Sequence, residues 1–473
     1  MDHGRGGERR RHFRGLLVVV PAARVALLRG RGAAPRRGRR VALLARYPDR
    51  DPALPQFIPN HGLRMVEAML RASRLDGLEL KVWDLTAGSV DELAREVIAY
   101  DPDVVGVSAY LWSFPYFVEV ARVLKEDDPR RLIVFGGPSA RPSMFSLAPY
   151  RGASQWIDAL VINEGEHAFR EIVALDERGP TQLRALPGLA VPADSGWFET
   201  AARPLGDLNE LPSPYGMDLS PHGGLGVLQT YRGCPFTCSF CEWGTLESPK
   251  RVREVDELCR EFEGMARHGV MGALEVDAGL NLNQHAFRNL REAAERTGFF
   301  RERHFICELY PAKVRQEHID FLSGVHRPMV GVGLQSFDNK VLAHVERSYD
   351  EARFEDTLGQ LKAVAGVAVE IILGLPGDTP QNFRASFERA RSLGCALRVY
   401  HCVVLPSALM VRAPPHYAMD FDQVTLKMRS CLGWPEAELT AAAEYVAAEA
   451  RRENGRCGEF FWVFPARRTA ARH

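Results

Sequence analysis

Three cysteines stand within eight residues of this chain, in the segment RGCPFTCSFCEWG. They are Cys234, Cys238 and Cys241, in a sequence of 473 residues that contains only nine cysteines. A redox dithiol needs only two thiols. A structural zinc site takes four ligands, usually in two separated pairs, and no second pair of cysteines or histidines stands near this segment. Three thiolates at this spacing suit three corners of a cubic iron-sulfur cluster whose fourth iron stays open to another ligand. The segment therefore predicts a metal centre.

The overall composition is that of an ordinary globular protein with two or three domains. The chain has 60 Lys and Arg against 60 Asp and Glu, so its net charge gives no argument for a nucleic-acid or membrane-surface partner. A low, odd number of cysteines in a long chain argues against a secreted disulfide framework and favours a reducing, cytoplasmic compartment. No stretch reaches the roughly 18 uninterrupted apolar residues that a membrane span needs.

The first 40 residues differ from the rest, with twelve arginines and two acidic residues. Their apolar stretch, residues 15–28, is broken by Pro21 and Arg24, and no clean small-residue cleavage site follows it. A signal peptide and a basic arm for nucleic acid stay open as alternatives. The composition favours a disordered extension, or translated upstream sequence, before residue 41.

Residues 41–180 alternate short apolar runs with helix-length amphipathic segments, such as VALLARY followed by HGLRMVEAMLRAS. This alternation predicts a doubly wound, Rossmann-like α/β domain with a parallel sheet. Ligands bind outside the carboxyl ends of such strands, so the stretches 108–113, 136–140 and 163–169 are candidate contacts. The absence of a G-x-G-x-x-G motif argues against a nicotinamide dinucleotide.

A proline-rich stretch, residues 181–220, predicts a surface linker between two domains. Six strand and helix units then follow in residues 221–405, which predicts a partial (β/α)6 parallel barrel with its chemistry at the carboxyl ends of the strands. The cysteine segment comes directly after the first of these strands. Residues 406–473 are expected to form a small α-rich region that closes the barrel mouth and contacts substrate.

The motif C-x3-C-x2-C after a first barrel strand, with Phe240 directly before the third cysteine, resembles the radical S-adenosylmethionine (SAM) superfamily. The stretches PDVVGVSAYLWS, LIVFGGPSARP and NEGEHAF are similar to the cobalamin-binding domain fused to one branch of that superfamily. The resemblance covers residues 41–405. It implies a [4Fe-4S] cluster on Cys234, Cys238 and Cys241, SAM on the open iron, cobalamin in the first domain, and an external electron donor of the flavodoxin or ferredoxin type.

The resemblance also implies individual contacts, each with plain packing as its alternative. The expected SAM contacts are Phe240 and the run from Ile372 to Gly374 at the adenine, Asp277 and Asn281 at the methionine part, and Gln335 and Ser336 at the ribose or carboxylate. The expected cobalamin contacts are Ser108, Ala109, Tyr110, Leu111, Trp112, Gly136, Gly137, Pro138, Glu164, Gly165 and Glu166. The motif D-x-H-x-x-G is absent, so no histidine of that motif binds cobalt from below. Tyr110 and Trp112 are candidates for that lower face.

Glu242 follows the last cluster cysteine and is the candidate catalytic residue. Carboxylate oxygen is a suitable ligand for iron or partner for substrate, and a hydrogen-bonded loop carboxylate is the alternative. The two cofactors together imply methyl transfer from SAM by way of methylcobalamin to an unactivated or weakly nucleophilic carbon. The substrate would be a small-molecule or peptide-derived metabolite, in an antibiotic or other secondary-metabolite pathway. Two alternatives stay open: a cobalamin-dependent rearrangement or ring contraction without methyl transfer, and a cobalamin or iron-sulfur sensor without turnover.

Overall fold

The structure is a computed structural model that describes residues 38–48, 58–243 and 251–467. Apart from residues 38–40, the predicted basic extension lies outside these ranges. None of the helices in the described ranges is both long and apolar enough to cross a membrane.

The first part of the chain folds around one seven-stranded sheet. Its strands are β1 Arg40–Arg46, β2 Glu79–Leu85, β3 Val104–Ser108, β4 Leu132–Gly136, β5 Ala159–Val161, β6 Leu189–Ala193 and β7 Gly196–Glu199. Its helices are α1 His61–Ala72, α2 Val90–Tyr100, α3 Phe114–Asp127, α4 Gly165–Ala174 and α5 Pro180–Ala185. The sheet order is β2-β1-β3-β4-β5-β6-β7, and β1 to β5 run parallel. The expected doubly wound α/β domain is confirmed.

Local sequence explains these elements. The central strands β3 and β4 read VVGV and LIVF because helices cover both faces of the sheet and bury every side chain. Helix α2 begins at a capping box, in which Ser89 and Glu92 each accept a backbone N–H of the other.

The prediction of a linker at residues 181–220 is wrong for its first half. Strands β6 and β7 form an antiparallel hairpin that extends the first sheet beyond β5. Leu189, Ala190 and Val191 are buried there, so this hairpin covers an edge that would otherwise expose apolar side chains. Pro192 pairs only with β7, because β6 runs antiparallel to β5 and passes the first residue of β5 before it reaches Pro192, so the proline removes no hydrogen bond from the ladder with β5.

The second part of the chain is an open, partial barrel. Its strands are β8 Leu225–Leu228, β9 Tyr231–Arg232, β10 Arg251–Val252, β11 Gly272–Glu275, β12 His304–Leu309, β13 Pro328–Gln335, β14 Gly366–Leu373, β15 Ala396–His401, β16 Asp420–Phe421, β17 Met428–Ser430, β18 Arg456–Cys457 and β19 Phe461–Phe464. Its helices are α6 Val255–Arg267, α7 Gln284–Thr297, α8 Gln316–Ser323, α9 Asn339–His344, α10 Glu351–Val364, α11 Pro380–Ser392, α12 Leu409–Arg412 and α13 Glu436–Arg452.

The barrel sheet has the order β18-β19-β15-β14-β13-β12-β11-β8. Strands β8 and β11 to β15 are parallel and neighbour one another in chain order, as predicted for six strand and helix units. The carboxyl-terminal region adds α12 and α13, the small hairpin of β16 and β17, and the antiparallel strands β19 and β18 beside β15. It therefore extends the barrel sheet as well as packing on it.

Candidate cofactor and active site

A cavity of about 790 Å³ lies between the carboxyl ends of the strands of the two sheets. Most of the predicted cobalamin contacts form its wall in the first domain: Ser108, Tyr110, Trp112, Gly136, Gly137, Pro138, Glu164, Gly165 and Glu166. The opposite wall comes from the second domain and includes Val227, Gln229, Arg232, Glu242, Val276 and Ser407. Ala109 and Leu111 are absent from the wall, because their side chains pack on the core of the first domain.

The shape of this cavity fits a large, mainly apolar ligand such as a corrin. A Cβ atom added to Gly136 would lie 3.9 Å from the carbonyl oxygen of Val107 and from Cβ of Val161, so this wall position has room for a side-chain atom. Gly137 has another role: its φ is 93°, and a Cβ there would come within 2.8 Å of the carbonyl oxygen of Ala109. Leu43, Val66 and Phe169 supply apolar surface nearby.

Two stacked aromatic side chains lie just after the carboxyl end of β3. The rings of Tyr110 and Trp112 are 4.7 Å apart and nearly parallel, and both line the cavity. Trp112 Nε1 donates a hydrogen bond to the carbonyl oxygen of Arg46 at 2.9 Å, which fixes the indole although it is 39% exposed. Burial raises the pKa of Tyr110, so its phenol stays neutral.

His61 is a cavity residue that the sequence reasoning missed. It is the first residue of α1, it lines the cavity, and its Nδ1 is buried without a hydrogen-bond partner among the described residues. Burial, with help from the positive charges of Arg253 and Arg232, lowers its pKa to about 3, so the imidazole is neutral. A lone histidine at a helix start carries no local signal that would have singled it out.

Four charged residues join the two domains beside the cavity: Glu164, Glu166, Arg232 and Arg251, which we call the seam ion-pair cluster. Arg232 and Arg251 face each other on the antiparallel ribbon of β9 and β10. Arg232 binds Glu166 with both guanidinium nitrogens, and Arg251 binds Glu164. Two predicted cobalamin contacts therefore use their charge to hold the domains together.

The three cluster cysteines follow β9 in one compact loop. Cys241 N donates to the carbonyl oxygen of Cys238 at 3.0 Å, and Arg412 donates to the carbonyl oxygens of Thr237 and Cys238 at 3.2 Å. None of the three thiols is in a disulfide. Arg347 Nη1 lies 3.9 Å from Cys238 Sγ, which places a positive charge beside this cysteine. This donor set and its positive surroundings fit a cluster held by three cysteines.

Asp277 positions the start of this loop. Its carboxylate accepts the backbone N–H groups of Thr230 and Tyr231 at 3.0 and 3.3 Å and the hydroxyl of Thr230. Burial raises its pKa to about 6 and raises the pKa of the neighbouring Glu275 much further. Among the described residues, neither carboxylate oxygen of Glu275 accepts a hydrogen bond, which agrees with a protonated acid that donates to Asp277. The structure thus uses Asp277 to hold the loop, and its predicted contact with SAM remains a prediction.

The other predicted SAM contacts are spread around the barrel mouth, and none of them lines the 790 Å³ cavity in the described part of the chain. Asn281 exchanges two hydrogen bonds with the backbone of Tyr310, and Ser336 Oγ accepts the N–H of Asp338. Phe240 and Ile372 pack on the same core cluster. Gln335 has a φ of 76° at a register shift in β13, a strained conformation that is common at functional sites.

Inside the barrel, three charged side chains that the sequence reasoning missed lie together. Glu370 on β14 accepts from Arg398 Nη1 at 2.9 Å and from the hydroxyl of Tyr400 at 3.2 Å, and Glu308 on β12 lies 3.5 Å from the same nitrogen. Burial and the charge of Glu370 raise the pKa of Glu308 to about 8. The sequence did carry a signal for this group, because charged residues within otherwise apolar barrel strands indicate polar side chains inside the barrel.

Glu242 connects the cluster loop with the cavity. Its Oε1 accepts from the backbone N–H of Ser407 at 3.1 Å and from the hydroxyl of Ser407 at 2.8 Å, and both residues line the cavity wall. The carboxylate is thus hydrogen-bonded, as the alternative reading of the sequence expected, and also faces the cavity directly after Cys241.

Comparison with known proteins agrees with this geometry. Residues 53–173 match the family described as B12 binding domain, and residues 228–390 match the radical SAM superfamily. The chain is 30% identical over 342 residues to the cobalamin-dependent radical SAM methyltransferase TokK from Streptomyces tokunonensis. That match covers 67% of this chain and 49% of TokK, so the chain spans about half the length of this relative.

Two solved structures have the same fold over most of the chain. The radical SAM methyltransferase TsrM from Kitasatospora setae superposes with a TM-score of 0.67 at 19% identity, covering 87% of this chain and 89% of TsrM. The cobalamin-dependent SAM radical enzyme OxsB superposes with a TM-score of 0.64 at 13% identity, covering 88% of this chain and 67% of OxsB. With the two domain matches and the cavity at their seam, the chain belongs to the cobalamin-dependent radical SAM family.

Proposed function

We propose that this protein transfers a methyl group from SAM, through cobalamin, to an unactivated or weakly nucleophilic carbon of a small-molecule or peptide-derived metabolite. The observation that carries the proposal is the shared cavity, because its walls come from the carboxyl ends of both sheets. Glu242 brings the segment after Cys241 to that wall. A ligand in the first domain thus faces the cluster loop across one cavity. The likeness to TokK and TsrM, both described as methyltransferases, supports the same activity.

The chain's own residues bind and align the reacting groups. Cobalamin supplies a methyl carrier when bound, and the apolar wall around Gly136 would hold its corrin at the seam. The seam ion-pair cluster keeps the two walls at a fixed separation, which matters because misplacement by about 1 Å can cost about a hundredfold in rate. The stacked Tyr110 and Trp112 cover one side of the cavity and would hold the corrin there.

Substrate would enter beside Glu242, which we propose as the residue that orients it. Ser407 holds one carboxylate oxygen of Glu242 in place, and Arg141 lines the same wall. Burial lowers the pKa of Arg141, and the nearby Glu242 carboxylate opposes that shift, so a cationic and an acidic side chain lie near each other at this wall. Such a pair suits a zwitterionic or amide-containing metabolite. We propose an external flavodoxin- or ferredoxin-type protein as the source of electrons.

The test uses protein purified without oxygen, with its cluster rebuilt and cobalamin bound. It is incubated with SAM, a strong reductant and candidate substrates, and S-adenosylhomocysteine and 5'-deoxyadenosine are quantified by mass spectrometry. Cobalamin-dependent S-adenosylhomocysteine is expected, and 5'-deoxyadenosine beside it would indicate hydrogen abstraction from a saturated carbon. The Cys238→Ala variant should give neither product.

Two outcomes would contradict the proposal and favour another function. Deoxyadenosine without S-adenosylhomocysteine would favour a rearrangement or ring contraction that uses the same two cofactors. Failure of the loaded protein to bind SAM, measured by equilibrium dialysis, would favour the sensor alternative.

The Cys395→Ala variant is a suitable control for Cys238→Ala, because Cys395 is a buried core cysteine of the barrel, away from the cluster loop.

A further inference from the structure

A second group of metal-binding side chains lies at the opposite end of the barrel from the cluster loop. Asp218, His222 and His268 each place one ligand atom so that all three atoms lie within 4.8 Å of one another. Asp218 and His222 belong to the segment before β8, whereas the cluster cysteines follow its other end. His268 ends α6, and its carbonyl oxygen accepts the N–H of Gly223 from the same segment at 2.8 Å.

The hydrogen bonding of His268 indicates that a cation belongs here. The imidazole is buried, and its Nδ1 lies 2.8 Å from the carbonyl oxygen of Gly264, a contact that assigns the proton to Nδ1. In the neutral form of the ring, Nε2 then carries the lone pair. Nε2 has no hydrogen-bond partner among the residues that the structure describes, although Asp218 Oδ1 is only 3.0 Å away. Two acceptor atoms at that distance repel each other unless a proton or a metal ion joins them.

The spacing of the three groups suits a metal ion. Bonds of about 2.0–2.2 Å to nitrogen and oxygen, at angles between octahedral and tetrahedral, place neighbouring ligand atoms about 3.0–3.5 Å apart. Asp218 Oδ1 is 3.0 Å from His268 Nε2 and 3.4 Å from His222 Nε2. A metal-ligating histidine also commonly donates its other ring N–H to a backbone carbonyl, as His268 does to Gly264.

We propose that Asp218, His222 and His268 bind a divalent transition-metal ion of the zinc type. Two imidazole nitrogens and one carboxylate oxygen are borderline ligands that such ions prefer, and the exposed side chains of Asp218 and His222 leave the remaining positions to water. The ion would fasten the segment before β8 to α6. Tyr215 in that segment contacts both His268 and the cavity residue His61, at ring distances of 5.6 and 6.5 Å. The site would therefore stabilise the packing behind the cavity.

The test uses the cluster-loaded, cobalamin-bound protein, so that the cluster cysteines are already occupied. It is equilibrated with Zn²⁺, desalted, and examined for zinc content and by X-ray absorption at the zinc edge, which is separate from those of iron and cobalt. We expect about one zinc per chain with nitrogen and oxygen ligands near 2.0–2.1 Å, imidazole scattering and no sulfur near 2.3 Å. His222→Ala and Asp218→Asn should each weaken zinc binding by about tenfold or more.

His222 and Asp218 are exposed, so their replacement leaves the fold intact and tests binding alone. His326→Ala is the matched control: His326 pairs with His304 at a ring distance of 5.9 Å at the same end of the barrel, outside the three-residue group. It should bind zinc like the unaltered protein. Sulfur ligands at the zinc, unchanged zinc content in His222→Ala, or no zinc at all would each overturn the proposal. The readout is independent of methyl transfer.

Discussion

The guanidinium of Arg232 binds the buried carboxylate of Glu166 across the domain seam, with Nη2 2.5 Å from Oε1 and Nη1 3.3 Å from Oε2. Arg232 stands just before the cluster loop, and Glu166 lies in the first turn of α4 at the cavity wall. One ion pair thus ties the loop that carries the cluster cysteines to the wall of the predicted cobalamin site. The alignment of the two cofactor sites depends on it.

Glu166→Gln should lower the free energy of unfolding by about 3 kcal/mol at neutral pH, because it leaves a buried guanidinium without its main partner. Chemical denaturation of the two proteins measures the difference. Glu171→Gln is the matched control on the same helix: Glu171 pairs with Arg203 at 2.6 Å but is 29% exposed. Its cost should stay below about 1 kcal/mol. Equal losses in the two variants would contradict a special role for the seam pair.

The same pair makes stability depend on pH in the acid range. Arg232 outweighs burial and lowers the pKa of Glu166 to about 2, from an ordinary value of 4.5. The stabilisation is therefore complete above about pH 4.5 and is lost as the pH falls toward 2. The difference in unfolding free energy between the unaltered protein and Glu166→Gln should shrink over that window. A difference that stays constant from pH 6 to about 3 would refute this assignment.

Gly136→Val should block cobalamin binding without unfolding the first domain. The new side chain would fit at the cavity wall, where a Cβ meets nothing closer than 3.9 Å, and would take up volume that the ligand needs. We expect the affinity for cobalamin, followed by absorbance titration, to fall by about tenfold or more. Gly366→Val is the matched control, since Gly366 is also a strand-end glycine with room for a Cβ, but lies at the other end of the barrel strands. Tight cobalamin binding by Gly136→Val would exclude this cavity as the site.

Arg347→Gln should make the rebuilt cluster harder to reduce. The guanidinium lies 3.9 Å from Cys238 Sγ and over the ring of Tyr310 at 4.8 Å, so it stabilises added negative charge. Removing it should shift the reduction potential by about 100 mV in the negative direction, as measured by redox titration. Arg347→Lys keeps the charge and should show a smaller shift. A shift of the same size in both variants would indicate altered packing instead.

Asp277 and Glu275 should respond very differently to amide substitution. Asp277→Asn replaces one carboxylate oxygen that accepts from Thr230 and Tyr231, so it should cost about 2 kcal/mol of stability and reduce iron incorporation. Glu275→Gln replaces an acid that burial keeps protonated, so its cost should be about 0.5 kcal/mol or less. Iron content and thermal unfolding measure both effects. A severe loss in Glu275→Gln would show that this carboxyl is ionised.

Much of the fold follows from local patterns. The six parallel barrel strands and the five parallel strands of the first sheet were all identifiable, because apolar runs bounded by glycine and proline repeat with helices between them. The hairpin of β6 and β7 was missed because its prolines resemble those of a linker. The hairpin pairs with β5 because β5 would otherwise be an exposed edge strand, and that is visible only in the folded sheet.

The sequence by itself determined the order of the two domains and predicted the cluster ligands, since both depend on short stretches whose residues are neighbours along the chain. Only the tertiary structure decided how distant side chains are used. Arg232 meets Glu166 across 66 residues, and Thr230 meets Asp277 across 47. Asp218 meets His268 in the same way. The partner of a buried charge is set by where crossover connections bring strand ends together, and no local periodicity carries that information.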